Sequence, residues 1–294
     1  MGGGSEDTHP RERCKVQVYA GADTWYCQPV RILSISAFAG LALASIPDAS
    51  ANRPTDLFAQ SPKRTSPIAV QAAPGDYVVR LHGMNRTKES MEKLADRLHA
   101  AGFFTLAIDY PALRDELADI ADEIVAPAVA TYCTDPRRRI HFVGHSLGNI
   151  VARTYLAGDH RPPNLGRVVM LAAPNNGSPI IDALGDNPLV AALVGPACGE
   201  LRTCEESFVR RLPPPDYPAG VIMGNRPVLP FFRKLLTDDC DGIVGVEDGR
   251  LPGLADFLVV HAGHTLIMRS PEVGRQVLAF LHQGAFASGA PALQ

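Results

Sequence analysis

The chain has 294 residues, of which 46% are hydrophobic and 20% are charged, and its formal net charge is −3 at pH 7. A chain of this length and composition can bury one sizeable core, so it predicts one globular domain rather than a disordered or fibrous protein. The near-neutral charge gives no electrostatic reason to expect nucleic acid as a partner.

The N-terminal quarter differs in character from the rest. Residues 1–30 show no hydrophobic periodicity and are predicted to be disordered. Residues 31–51 combine a basic residue, an apolar run and an Ala-x-Ala exit, a pattern typical of a secretory signal peptide. Because signal peptides start a chain, we expect translation to begin near Val30; an uncleaved anchor or a buried helix is the alternative. Residues 52–75 are predicted to be a linker. An exported protein, periplasmic or secreted, is expected, or a membrane-anchored one if the segment is not cleaved.

The chain has six cysteines. Two of them, Cys14 and Cys27, precede the signal-like exit. The other four allow three disulfide pairings, and four buried thiols are the alternative. They are Cys133, Cys198, Cys204 and Cys240. The second and third of these four are close enough in sequence to bridge one loop.

Strand and helix patterns alternate over residues 76–283, the range predicted for the folded domain. Apolar runs predict strands, and apolar stripes at helical spacing predict helices. The predicted strands are Tyr77–Leu81, Phe103–Ile108, Ile140–Val143, Arg167–Ala172, Val221–Gly224 and Phe257–Val260. The predicted helices are Thr87–Ala100, Asp115 to about Tyr132, one that follows Ser146, Phe231–Leu236 and Pro271–Leu281. This alternation predicts an α/β fold with a doubly wound, mainly parallel sheet.

Two segments fall outside that alternation. Residues 175–218 are rich in Gly, Pro and small residues. We predict that they form a lid or cap excursion over the active-site edge of the sheet, partly helical around Ile180–Val194; a plain surface connection is the alternative. Residues 284–294 are predicted to be a C-terminal tail.

A candidate nucleophile stands between the third strand and the helix after it. This turn reads Gly144-His145-Ser146-Leu147-Gly148. Gly-x-Ser-x-Gly between a strand and a helix is typical of a nucleophile elbow, in which the serine occupies a strained turn at the top of a sheet. Gly144 and Gly148 provide room where the turn lies against neighbouring backbone. A serine that opens a helix can also be only an N-cap, but the strand before it and the helix after it favour the elbow.

A serine hydroxyl reacts only if a base takes its proton, and the base needs an orienting acid. On an elbow scaffold these partners follow the serine in the order Asp or Glu, then His. Asp241, which a glycine follows, and His264, in the loop after the last strand, obey that order. The rivals are Asp238 and Asp239 for the acid and His261 for the base.

A tetrahedral intermediate needs amide donors for its oxyanion. The candidates are the N–H of Leu147, directly after the serine, and the N–H of Met84, in the loop after the first strand. Gly83 would let that loop approach the substrate closely. His82 is interpreted as shaping the loop, and His145 as packing or orienting the elbow.

No metal site is predicted. The sequence has no C-x-x-C and no H-E-x-x-H pattern. The acidic cluster around Asp241 could instead bind calcium, but the EF-hand pattern would place Thr237 at its first ligand position and Asp248 at its last, which does not match.

The combined motifs resemble the lipase/esterase-type α/β-hydrolases, and more closely a bacterial branch akin to triacylglycerol lipases. The motifs are LHGMNRT (81–87), GHSLGN (144–149), LAAPNNGS (171–178), GNRP (224–227), DGIV (241–244) and HAGHTLIM (261–268). The resemblance spans about residues 76–283. It implies a catalytic triad, two oxyanion donors and no cofactor. The triad would be Ser146, Asp241 and His264, and the donors Met84 and Leu147. Asn149 is a departure, since such proteins often have glycine there.

The resemblance implies hydrolysis of carboxylic esters through an acyl-serine intermediate. A small-molecule or lipid-like ester is the expected substrate, with its acyl chain under residues 175–218 and with transient contact to a membrane or lipid surface. Thioesterases, amidases and acyltransferases share this scaffold, and a non-catalytic binding protein is the alternative from another class. Acyl-chain length, natural substrate and oligomeric state stay open.

Overall fold

A seven-stranded sheet forms the centre of the protein in the computed structural model, which describes residues 67–185, 195–227, 236 and 239–288. The strands are β1 (Ile68–Gln71), β2 (Tyr77–Leu81), β3 (Phe104–Ile108), β4 (Ile140–His145), β5 (Leu165–Leu171), β6 (Ala219–Gly224) and β7 (Asp256–Val260). Their spatial order is β1-β3-β2-β4-β5-β6-β7. β1 runs antiparallel to β3, and all other pairs are parallel. The predicted mainly parallel, doubly wound sheet is confirmed.

Within the described ranges, the helices follow the predicted order. They are α1 (Glu92–Ala100), α2 (Leu117–Asp119, Ile120–Val125 and Ala126–Tyr132), α3 (Leu147–Ala157), α4 (Pro179–Leu184), α5 (Pro196–Gly199), α6 (Phe208–Arg211) and α7 (Pro271–Gln283). The middle segment of α2 is π-helical. Pro127 has no N–H to donate to the Glu123 carbonyl, which explains why the regular helical ladder is interrupted there. Ser270 caps α7 by accepting from the Val273 N–H, and Gly284 ends it at a φ of 82°.

The core lies on both faces of the sheet. β2 and β4 are buried at every position, as expected for central parallel strands covered on both sides. Alternate side chains face opposite layers, so Val78 packs with α1 and α7, whereas Val79 packs with α2 and α3. This two-sided packing holds the C-terminal ends of β2 and β4 in place.

The strand order reverses at β2. The chain proceeds from β2 outward to β3 and then returns to place β4 on the other side of β2. In open α/β sheets, ligands bind at such a switch point, outside the carboxyl ends of the strands. The loops after β2 and β4 are therefore the expected walls of a site.

Two predicted domain limits are wrong. The linker prediction, 52–75, fails for Ile68–Gln71, because these residues form the antiparallel edge strand β1; residues 52–66 lie outside the described part. The predicted C-terminal tail, 284–294, begins with ordered packing, because Phe286 is 8% exposed and its N–H donates to Asp256. The folded domain therefore includes at least residues 67–288.

Several predictions fall on residues outside the described ranges. These are the disordered and signal-like segments, the middle of the predicted lid, the helix Phe231–Leu236 except for its last residue, and Asp238. The described parts of the lid contain α4, α5 and α6. Within the described ranges, no helix is long and apolar enough to cross a membrane.

Candidate active site

Ser146 stands at the tip of the turn between β4 and α3. Its φ of 52° and ψ of −122° are unusual for a residue with a side chain, and such a conformation costs about 1–3 kcal/mol. The surrounding packing maintains it. A Cβ at Gly148 would collide with the Leu81 and His82 carbonyl oxygens, and one at Gly144 would collide with Asn149. Gly148 thus lets the elbow lie directly against the end of β2, and Gly144 leaves room for Asn149 of the helix that follows.

The structure brings Ser146, His264 and Asp241 into one hydrogen-bonded chain. His264 Nε2 lies 2.9 Å from Ser146 Oγ, and His264 Nδ1 lies 2.7 Å from Asp241 Oδ2. The Asp241 side chain is fully buried, and His264 is 8% exposed. A proton can therefore pass from the serine to the imidazole, whose other nitrogen faces a carboxylate.

The loop after β6 holds Asp241 rigidly. Its Oδ1 accepts from the N–H groups of Ile243 and Val244 at 3.0 and 2.8 Å, which leaves Oδ2 for His264. The glycine after it has a φ of 98°, as a tight turn requires. Of the rivals within the described ranges, Asp239 and His261 are exposed. Neither of them belongs to the chain that ends at the serine.

The two candidate oxyanion donors belong to the elbow and to the loop after β2, which packs against it. Leu147 is the first residue of α3, so the positive end of the helix dipole adds to its N–H. Gly83 lies against the elbow, because a Cβ there would be 3.1 Å from Ser146 Cβ. Within the described residues, neither the Leu147 N–H nor the Met84 N–H donates to another group. Both are available to an anionic oxygen beside Ser146.

Two buried histidines support this arrangement. His82 is 1% exposed and lies 2.9 Å, through Nδ1, from the Gly83 carbonyl oxygen. His145 Nε2 lies 2.9 Å from the His264 carbonyl oxygen and holds the backbone of that residue. Burial, and secondarily the nearby His264, lowers the pKa of His145 well below its usual value. His145 is therefore a neutral support at neutral pH.

Sequence reasoning underestimated Asn149. Its side-chain amide donates to the Ser146 carbonyl at 3.0 Å and to the Leu171 carbonyl at 2.9 Å. Asn149 therefore connects the elbow helix to the end of β5. Its presence where related sequences often have glycine was the available signal, but the contact with β5 lies across the sheet and has no sequence signature.

Sequence reasoning missed Arg153 altogether. Its side chain, 3% exposed, extends from α3 and donates to the Asn175 carbonyl at 3.2 Å and to the Leu212 carbonyl at 3.2 Å. Burial lowers its pKa to about 10. The Arg153 guanidinium is therefore held by neutral carbonyl oxygens. It connects the start of the lid region, at Asn175, and a point near its end, at Leu212, to the helix α3 that follows the nucleophile.

The structure gives the bonding state of three of the four cysteines that follow the signal-like segment. Cys204 is disulfide-bonded, and the Cys198 side chain lies outside the described part. Cys133 and Cys240 carry thiols rather than disulfides. Burial raises the pKa of the Cys133 thiol to about 12, so this group is a poor nucleophile.

Asp248 gives the protein a predicted pH dependence of stability. Burial raises its pKa to about 6, from an ordinary 3.8, although its Oδ2 accepts from the Gly245 N–H. The folded state therefore binds more protons than the unfolded state between these values, and stability falls as pH rises through this window. We expect Asp248→Asn to raise the Tm at pH 7.5, because it removes the buried charge and keeps an acceptor for Gly245.

Thermal unfolding of the Asp248→Asn variant and the parent between pH 4 and 8 checks this prediction. The Tm difference should shrink toward zero as pH approaches 4, where Asp248 is protonated in the parent. Glu205→Gln is the control, because Glu205 is an exposed carboxylate that does not influence the pKa of Asp248. A variant that is less stable than the parent at pH 7.5 would contradict the assignment.

Solved structures support the fold assignment. No family model and no curated protein matches the chain. The mature form of a Bacillus licheniformis lipase aligns with a TM-score of 0.58 at 17% identity, over 74% of this chain and 97% of that chain. A metagenomic carboxyl esterase aligns with a TM-score of 0.54 at 21% identity, over 74% of this chain and 70% of that one.

A phospholipase from Legionella pneumophila aligns with a TM-score of 0.54 at 15% identity, over 72% of this chain and 60% of that chain. This chain therefore spans less than two thirds of that protein. Structural similarity at identities in this range establishes the arrangement of strands and helices. The chemistry has to be inferred from the residues of the site. The chain has the α/β-hydrolase fold, as its resemblance to lipases and esterases of that fold predicted.

Proposed function

We propose that this protein is a serine hydrolase that cleaves carboxylic esters. The observation that carries the proposal is the hydrogen-bonded chain from Asp241 through His264 to Ser146, which ends at the tip of a strained turn. A buried carboxylate, an imidazole and a serine in this order are the parts that activate a hydroxyl for acyl transfer. The proposal keeps the triad and the oxyanion donors predicted from the sequence.

In the proposed mechanism, Ser146 Oγ attacks the ester carbonyl carbon while His264 Nε2 takes the hydroxyl proton. The oxyanion that forms accepts hydrogen bonds from the Met84 and Leu147 N–H groups. The bond to the alkoxy group then breaks, and His264 gives its proton to the departing alcohol. Water attacks the acyl-serine in the same way, so the carboxylic acid leaves and Ser146 regains its proton.

Two observations support an acyl substrate, and the first of them favours an ester. Two of the similar solved structures are named lipase and carboxyl esterase, and both names denote cleavage of carboxylic esters. The lid region is anchored beside the site by Arg153, at the sheet edge where an acyl chain would lie. We therefore propose a small-molecule or lipid-like ester as the substrate.

The test is hydrolysis of p-nitrophenyl esters from acetate to palmitate, combined with labelling by a fluorophosphonate. We expect turnover, and mass spectrometry should place the phosphonate on the peptide that contains Ser146. The acyl length of highest kcat/KM would distinguish an esterase from a lipase. Labelling without ester turnover would contradict ester hydrolysis and point to a thioesterase or acyltransferase. If the folded protein shows neither, the binding-protein alternative is the better explanation.

A further inference from the structure

The ring of His82 is held on three sides. The Tyr110 ring stacks on it at 4.1 Å with an interplanar angle of 11°, and the Tyr110 hydroxyl donates to the His82 carbonyl. His82 Nε2 lies 3.3 Å from the Tyr110 N–H nitrogen and 3.0 Å from Asp109 Oδ1. His82 Nδ1 lies 2.9 Å from the Gly83 carbonyl oxygen. These contacts fix the position and the plane of the ring.

One tautomer satisfies more of these contacts than the other. With the proton on Nδ1, the ring donates to Gly83 and accepts from the Tyr110 N–H, and only the Asp109 contact is unfavourable. With the proton on Nε2, the ring donates to Asp109, but a lone pair faces the Gly83 carbonyl and a donor faces a donor at Tyr110. A doubly protonated ring would still donate to Gly83. Burial, the largest influence, lowers the pKa of His82 and favours the neutral ring.

The bond to Gly83 fixes the next peptide group. The described residues contain no cis peptide bond, so the Gly83 carbonyl and the Met84 N–H point in opposite directions. Because the carbonyl faces the His82 ring, the Met84 N–H points away from it. Gly83 packs closely on the elbow, since a Cβ at this position would lie 2.9 Å from His145 Nδ1. The direction of the Met84 N–H thus depends on a donor at His82 Nδ1.

We propose that His82 is a positioning residue that orients the Met84 N–H as an oxyanion donor by donating from Nδ1 to the Gly83 carbonyl. This inference rests on the proposed ester hydrolysis. Loss of the Nδ1 donor would let the Gly83–Met84 peptide rotate, so that its carbonyl oxygen, rather than its N–H, could face the reacting carbonyl. The transition state would then lose one donor, whereas ground-state binding of the ester would change little.

Two substitutions test this role. His82→Leu replaces the donor ring with an apolar side chain of similar size, and His82→Asn places an amide N–H near the Nδ1 position. Since one oxyanion donor contributes about 10²–10³ in kcat, we expect His82→Leu to lower kcat by roughly 10²-fold with KM nearly unchanged. His82→Asn should recover most of this loss. His82→Gln, whose amide reaches the Nε2 position instead, should remain impaired and replaces His82→Leu if that variant does not fold.

The inhibition constant of a transition-state mimic distinguishes the positioning role from a purely structural one, because loss of a structural support would not change it selectively. A trifluoromethyl ketone adds to a catalytic serine and places an oxyanion in the hole, so its Ki should rise by the same factor by which kcat/KM falls. All rates are taken per folded protein. His141→Leu is the matched control, because His141 is also 1% exposed and also faces a carboxylate, that of Asp76 at 3.4 Å. It should leave kcat and Ki unchanged.

The outcomes are distinguishable. An active parent whose His82→Leu variant keeps its kcat, or whose His82→Asn and His82→Leu variants are equally impaired, would overturn the positioning role alone. A folded parent that hydrolyses no ester and does not bind the ketone would overturn the proposed function, and the positioning role with it.

Discussion

Replacing Ser146 with alanine is expected to lower kcat/KM for p-nitrophenyl butyrate by at least about 10⁴-fold, because the attacking oxygen is lost while the rest of the site stays. The residual rate would come from water, with the oxyanion donors still in place. The Oγ atom contacts His264 and carries no other described hydrogen bond. The Tm should therefore change by no more than a few degrees, which separates lost chemistry from lost folding.

Ser178, a buried serine, provides the control for this result. Ser178 lies in the loop after β5, at the same edge of the sheet, and among the described residues its Oγ has a single contact, a long one of 3.5 Å to the Ile243 carbonyl. We expect Ser178→Ala to keep turnover and fluorophosphonate labelling, and Ser146→Ala to lose both. A folded Ser146→Ala variant with turnover above one per cent of the parent would refute the nucleophile assignment.

Most of the fold was predictable from the sequence because its signals are local. β2 and β4 are fully buried, so they appear as largely apolar runs, interrupted by Arg80 in β2 and by His141 in β4, and each is followed by a helix with an apolar stripe. The edge strand β1 was missed. Ile68–Gln71 is short and only half-buried, and it follows a Pro- and Ser-rich stretch. Its pairing with β3 is a contact across about forty residues, which no local pattern specifies.

The candidate site also has a part that the sequence predicts and a part that it does not. Ser146 was predictable because two glycines and a change of periodicity surround it, and Asp241 and His264 because their order along the chain is diagnostic. The supporting contacts were not, since they join distant segments: His82 meets Tyr110 over 28 residues, and Arg153 meets Leu212 over 59. Such contacts depend on which loops the sheet brings together.

Asp241→Asn is the second substitution with a large expected effect, and the structure shows why an almost isosteric change should matter. Asp241 Oδ1 accepts from two backbone N–H groups, those of Ile243 and Val244. An asparagine at this position must keep its oxygen there, because its NH₂ group would face two donors. The NH₂ group is therefore directed at His264 Nδ1.

The consequence is a change of tautomer in His264. Nδ1 must then accept a hydrogen bond, so the ring proton moves to Nε2 and points at Ser146 Oγ, where the base should have a lone pair. The negative charge that stabilises the imidazolium is also lost. We expect kcat to fall by about 10³–10⁴-fold, as for a triad with the wrong tautomer, while KM stays within about threefold.

Steady-state kinetics over a range of pH measures this effect, with Asp239→Asn as the matched control. Asp239 belongs to the same acidic cluster but is exposed, so its amide should leave kcat unchanged. Fluorophosphonate labelling of Asp241→Asn should slow by a factor close to that of kcat, because both reactions need the serine proton removed. If Asp239→Asn loses activity and Asp241→Asn retains it, the orienting acid is Asp239, and the buried contact at His264 is structural.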